Sequence, residues 1–310
     1  MMVRKIRHSQ SRPFDGLIKT PIKNNPGDMK WILLGTGNPF SGYSREKPAN
    51  LLLAGEKKIL IDCGSGVVRR LLMAGIFPSQ ISHLFFTHHH ADHNSGFIDF
   101  FCTSGFSREV PKRKEPLHIY GPTNTRQVIG KMQESLEMDL KDRKTFDEDS
   151  NKIIYHESMD GLVFNKDNLE INVFTVDHGD FNPSVGFRFS FKNTIIVFSG
   201  DTAPCDNIIK YSKNAELLIH ESYNAKWIEH TGSIYGKSAS KVFKDAKNKH
   251  TSTLEAAEIA ETSNAKHLVL THHIPSIAPI FSLERDYISG MSKIYSGKIT
   301  MGRDLMMFYK

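Results

Sequence analysis

From Lys30 onward the chain reads as short apolar runs of four to six residues, each closed by Gly, Asp or Asn. KWILLG, ANLLLA and KKILIDCG come first, then VVRRLLMAG, then SHLFF. Runs of this length between turn residues predict strands, and the spacing within VVRRLLMAG predicts a helix. LHIY continues the strands, TRQVIGKMQESLEMDL predicts one helix, and the polar KDRKTFDEDSNK predicts a solvated loop. LVF, LEINVFTV, SVGFRFSF and NTIIVFSG then predict strands. The last third alternates helix CDNIIKYS, strand ELLIH, helix TLEAAEIAE and strand HLVLTH, and closes on KITMG and LMMFY.

Two halves, each opening with strands and continuing as strand–helix units, predict an α/β chain. Periodicity alone leaves two arrangements open, a pair of facing sheets with helices outside or one doubly wound sheet. Residues 1–28 are polar, basic and broken by Pro13, Pro21 and Pro26. They read as an extension ahead of a single main domain, residues 29–310.

Composition removes other classes. The 310 residues are 39% apolar, enough for a sizeable core, and no run approaches the roughly 18 apolar residues a membrane span needs. The start lacks the apolar region of a secretory signal. Cys63, Cys102 and Cys205 are too few and too scattered for a disulfide framework, so a cytoplasmic setting is expected. The net charge of +6 favours anionic ligands weakly and does not by itself argue for nucleic acid. The 15 histidines change the picture more, because four of them fall within residues 88–93.

FFTHHHADHNSG follows the strand SHLFF and holds His88-x-His90-x-Asp92-His93. Imidazoles and carboxylates are the donors expected for zinc and similar metals, and a loop at a strand's C-terminal end is a common place for a site. Alternating residues of an extended loop point the same way, so His88 and His90 grip one ion, and Asp92 and His93 turn toward a second. His89 points away.

This motif resembles that of the metallo-β-lactamase superfamily, H-x-H-x-D-H, and the resemblance runs through residues 30–310 in order. ILLGTGNP matches the first strand and its turn, LIDCGSG carries the aspartate that supports the metal loop, Asp62, VDHG carries His178, FSGDT carries Asp201 and LTHH carries His272. The resemblance implies the αββα sandwich, two facing mixed β-sheets flanked by helices. It also implies two divalent metal ions, zinc first, with manganese or iron as alternatives. One ion would be held by His88, His90 and His178, the other by Asp92, His93 and His272, with Asp201 bridging. His273 stands as an alternative to His272. Two cations sharing a water lower its pKa toward neutrality, and the resulting hydroxide attacks phosphorus, sulfur or carbonyl carbon. Asp92 is a candidate catalytic residue as well as a ligand.

LLIHESY and KHTSTLEAAEIA resemble the H-E and H-S/T elements of ribonuclease Z and its relatives. This implies that His250 assists the leaving group and that Glu221 orients it; Thr253 is expected to cap the helix that follows His250. Ribonuclease Z carries a tRNA-gripping arm between the residues matching His178 and Asp201. Here these are 23 positions apart, with room for two strands and a turn. GFSREVPKRKEPLHIYGPTNTRQV, VDHGDFNPSVGFR, HTSTLEAAEIA and MGRDLMMF resemble the arylsulfatase-type members instead.

The expected activity is therefore hydrolysis of a small anionic ester, a sulfate ester or a phosphodiester. RNA, a lactone or a thioester are the alternatives. A non-catalytic binding protein is disfavoured because all seven ligand positions are filled. Membrane partners are not expected, and a homodimer rests on analogy alone. The basic run Arg108, Lys112, Arg113 and Lys114 reads as a solvated loop, and Cys63 as a small core residue.

Overall fold

The computed structural model describes residues 2–5, 25–40, 44–106, 113–142, 152–235 and 239–309. Its contacts divide the chain into two compact units. The N-terminal unit comprises Met2–Gly35, Glu46–Ser158 and Asp304–Lys310, and the C-terminal unit comprises Thr36–Arg45 and Met159–Arg303.

Among the described residues, the N-terminal unit holds a mixed sheet of eight strands. They are β1 (Met2–Lys5), β2 (Met29–Gly35), β3 (Ala49–Ala54), β4 (Lys57–Ile61), β5 (His83–Phe85), β6 (Leu117–Gly121), β7 (Ile153–Glu157) and, from the end of the chain, one at Met306–Tyr309. That last strand lies between β1 and β2, and the pairs through β3–β4 are antiparallel. From β4 to β7 the pairing is parallel, which requires crossovers. These contain α1 (Val67–Met73), α2 (Ala91–Asn94), α3 (Phe97–Phe106), α4 (Thr125–Glu134) and α5 (Glu137–Asp142). Leu51, Leu60, Leu84 and Ile119 of the sheet pack with Val67 and Leu71 of α1, Phe97, Phe100 and Phe101 of α3 and Ile129 of α4 in one buried core.

The C-terminal unit repeats this plan with seven strands among its described residues. β8 (Gly161–Lys166), β9 (Leu169–Thr175), β10 (Val185–Phe191) and β11 (Thr194–Phe198) form an antiparallel meander. β12 (Leu217–Tyr223), β13 (His267–Ile274) and β14 (Lys298–Met301) extend it in parallel. The crossovers carry α6 (Asp206–Ser212), α7 (Ala225–Tyr235), α8 (Ala239–Lys249), α9 (Thr253–Thr262) and α10 (Phe281–Tyr287). Val197, Leu218, Leu268 and Leu270 pack against Ala256, Ala257, Ile259 and Ala260 of α9. The small alanine face lets α9 lie close to the strands. The strand at Met306–Tyr309 is β15.

Several expectations are corrected at the local level. Ser252, not Thr253, caps α9: its Oγ accepts from the Glu255 backbone N–H, and Glu255 reciprocates at Ser252 N–H. TRQVIGKMQESLEMDL forms two helices, α4 and α5, with a break where the Ser135 hydroxyl turns back onto the Met132 carbonyl. The helices α2, α3, α7, α8 and α10 and the strands β1 and β7 went unforeseen; β1 places residues 2–5, expected as part of the extension, in the sheet beside β15. The solvated loop expected at residues 141–152 lies outside the described residues between 143 and 151, as does the polar extension between 6 and 24. Cys63 is buried, and all three cysteines are free thiols.

Candidate metal centre

In the N-terminal unit the donor residues follow β5. Asp62 follows β4 in the left-handed region, φ 56°, and its carboxylate is fully buried. It accepts hydrogen bonds from Thr87 N–H at 2.9 Å, from the Thr87 hydroxyl, and from His93 Nδ1 at 2.9 Å. With Nδ1 protonated toward Asp62, the lone pair of His93 is on Nε2, which lies 3.5 Å from Asp92 Oδ2. His88 is buried, with Nδ1 3.0 Å from the Thr87 hydroxyl and Nε2 2.9 Å from His90 Nδ1. His89 turns away as expected, onto the Thr125 hydroxyl at 2.9 Å and the Phe86 ring. Burial, then the nearby His93, lowers its pKa to about 4, so it is neutral.

Glycines make this loop possible. Cys63 N–H donates to the His93 carbonyl at 2.7 Å, and Gly96 N–H to the Cys63 carbonyl at 2.8 Å. A Cβ at Gly64 would stand 2.5 Å from the Asp92 carbonyl oxygen, and one at Gly96 would collide with the Gly64 carbonyl. LIDCGSG and HHADHNSG are therefore joined backbone to backbone, and Asp62 can reach under the histidines.

In the C-terminal unit, His178 follows β9 and is buried, its Nδ1 donating to the Lys249 carbonyl at the end of α8 at 2.8 Å. This leaves Nε2 as its ligand atom. His178 and Asp201 offer ligand atoms within 4.8 Å of each other, and so do Asp201, His250 and His272. His272 Nε2 is 3.2 Å from Asp201 Oδ2. The β12–β13 register explains this aim: Glu221 pairs with Thr271 and Ser222 with His273, so His272 is the extra residue of a bulge, at φ 47°. His273 returns to the ladder, buried, with Nε2 donating to the Gly302 carbonyl at 3.0 Å.

Beside these residues, Glu221 Oε1 accepts from His250 Nδ1 and from the Thr202 backbone N–H, both at 2.8 Å. The Thr251 hydroxyl donates to the Thr202 carbonyl at 2.6 Å. Residues 201–202, 221 and 250–251 are thus one hydrogen-bonded unit. Thr87, Thr202 and Thr251 were not singled out from the sequence, although each adjoins a singled-out residue. His220 is buried and neutral, lowered to about 4 by burial, with Nδ1 on the Glu221 carbonyl.

The basic run is corrected at one position. Arg113 is buried, with Nη1 on the Ser104 hydroxyl at 2.6 Å, Nε on the Glu115 carbonyl, and its guanidinium over the Phe101 ring. Burial lowers its pKa to about 10, and it stays charged. Lys114 is exposed, whereas Arg108 and Lys112 lie outside the described residues.

Imidazoles whose second nitrogen is held by a carboxylate, a carbonyl or a hydroxyl, next to buried carboxylates, suit a divalent cation. The identity of the metal does not follow from the donors. The interval between His178 and Asp201 is filled by β10, β11 and their turn, as expected.

Residues 29–232 match the family model described as anti-Pycsar protein Apyc1. The ribonuclease Z of Mycolicibacterium gilvum (strain PYR-GCK) is 32% identical over 279 residues, covering 88% of this chain and 93% of that protein. Among solved structures, the metallo-β-lactamase fold protein YhfI from Bacillus subtilis is similar with a TM-score of 0.69 at 19% identity, covering 91% of this chain and all of that one. The short form of human tRNase Z gives a TM-score of 0.66 at 23% identity, covering 90% and 98%. The fold is therefore the metallo-β-lactamase fold expected from the sequence, and the chain belongs to the anti-Pycsar protein Apyc1 family, as a metal-dependent, ester-cleaving hydrolase on the ribonuclease Z-like side of the metallo-β-lactamase superfamily.

Proposed function

We propose that the protein hydrolyses small anionic phosphodiesters at a dinuclear centre. In this reading His88, His90, Asp92, His93, His178, Asp201 and His272 would supply the ligands for two divalent ions. Zinc is the first choice of metal, and the three free thiols suit a reducing cytoplasm. Divalent ions bound there supply Lewis acidity, which acidifies water and offsets charge on the substrate's oxygens.

The protein's own groups do the rest. Asp92 accepts a proton as a nucleophilic water is oriented. His250 donates one to the departing oxygen through Nε2, because Nδ1 is engaged by Glu221. Glu221 fixes the orientation of the ring and steadies the backbone after Asp201 through Thr202. The observation that carries this reading is the shared Glu221 oxygen, which ties a proton donor to a neighbouring metal-type carboxylate.

A phosphodiester is preferred over a sulfate ester because the relatives named ribonuclease Z act on RNA, whose backbone is a phosphodiester. A small substrate is preferred over tRNA because two short strands occupy the interval where ribonuclease Z carries its arm. The test compares metal-loaded protein on bis(p-nitrophenyl) phosphate and p-nitrophenyl sulfate, with Asp201→Ala as control. Phosphodiester cleavage that the variant loses is expected. Cleavage of the sulfate ester alone would replace this reading with the arylsulfatase-type one, and cleavage of precursor tRNA would replace it with ribonuclease Z activity.

A further inference from the structure

The segment Thr36–Arg45 belongs to the C-terminal unit, and its anchoring centres on the residue after His272. His273 N–H donates to the Thr36 carbonyl at 3.3 Å. Asn38, only 4% exposed, uses both ends of its amide: Nδ2 donates to the His273 carbonyl, and Oδ1 accepts from Phe40 N–H at 2.8 Å. Arg45 closes the segment, with Nε on the Ile277 carbonyl and Nη1 on the Thr36 hydroxyl, both at 2.7 Å. The Phe40 side chain nevertheless stands 89% exposed.

A single exposed apolar residue is ordinary on a protein surface. Phe40 differs in how its backbone is held. A buried side chain that could have served the core instead joins the Phe40 backbone to the strand residue next to His272. A ring held in that place contributes nothing to the core, yet its face is free for a planar group. The geometry points to Phe40 as a specificity-determining residue that stacks on a planar aromatic group of the substrate, an aryl or nucleobase ring attached to the anionic ester. This rests on the proposed hydrolysis of such esters. Asn38 is its positioning residue.

Calorimetric titration of metal-loaded protein with phenyl phosphate and methyl phosphate tests this, because the two share the anion and differ in the ring. Stacking on an aromatic side chain predicts about tenfold tighter binding of phenyl phosphate by the wild type. Phe40→Ala brings the two affinities within about twofold, and Phe40→Trp keeps the preference. Asn38→Ala weakens the preference with the ring still present. Equal affinities in the wild type, or a preference that survives Phe40→Ala, overturn the assignment. A wild type that prefers the ring but cleaves no phosphodiester overturns the proposed reaction and leaves the role of Phe40 standing.

Discussion

His250 Nδ1 and Glu221 Oε1 are 2.8 Å apart, and the same carboxylate oxygen receives the N–H of Thr202. One buried carboxylate therefore orients an imidazole and secures the backbone beside Asp201. Glu221→Gln keeps the size and an acceptor oxygen but removes the negative charge that holds the His250 imidazole. It should lower kcat by about a hundredfold or more, and His250→Ala by about a hundredfold to ten-thousandfold. The loss should be smaller for p-nitrophenyl leaving groups, which need less protonation, than for alkyl ones. Steady-state kinetics on the two ester types, with metal content measured alongside, checks this; unequal metal content would show a ligand role for His250 instead.

Asp62 touches His93 through Nδ1 and Thr87 through both main chain and hydroxyl. Asp62→Asn removes the charge that orients His93 and should weaken metal binding about tenfold to a hundredfold. Competition against a chelating dye measures it. Chelation of the wild type should also lower the unfolding temperature, since ions that bind only the folded state stabilise it.

At Gly96 an added Cβ would run into the Gly64 carbonyl, which is main chain and does not swing aside. Gly96→Ala should cost about 2 kcal/mol or more, as overpacking does. Gly130, where an added Cβ meets only the Tyr155 hydroxyl at 4.0 Å, lies within α4, so Gly130→Ala should stabilise by about 0.5–1 kcal/mol. Urea denaturation of the two variants reads the contrast directly.

His267 is 3% exposed, with Nε2 2.9 Å from the Thr300 hydroxyl, and burial together with Lys298 lowers its pKa from 6.5 to about 4. Between those values the unfolded chain takes up a proton that the folded chain does not. Stability therefore falls as pH drops from 6.5 to 4, by at most about 1.4 kcal/mol per pH unit from this group. His267→Gln should flatten that limb relative to the wild type in denaturation curves taken at pH 7, 5.5 and 4.5.

Much of the candidate centre was legible along the chain because its donors are local. His88, His90, Asp92 and His93 fall within six consecutive positions after an apolar strand, and a loop at that place has few ways to present them. The strand runs, the two sets of strand–helix units and the short interval between His178 and Asp201 were legible for a similar reason, since periodicity and length are properties of the chain. What neighbours in space decide was not legible. Arg113 sits in a run of charges, yet Phe101 and Ser104 bury it. Thr253 was expected to cap α9, yet Ser252 does so, because the first helical turn already includes Thr253.

The adjacent His272 and His273 show the division most clearly. The segment LTHH puts two histidines near the end of an apolar strand, and the residue types point to metal-binding chemistry. Which imidazole turns toward Asp201 depends on β12, lying alongside. Its pairing with Thr271 and then His273 pushes His272 out of the ladder into the left-handed region, and the Gly302 carbonyl takes His273. A strand's register is set by its partner, so that choice belongs to the tertiary structure.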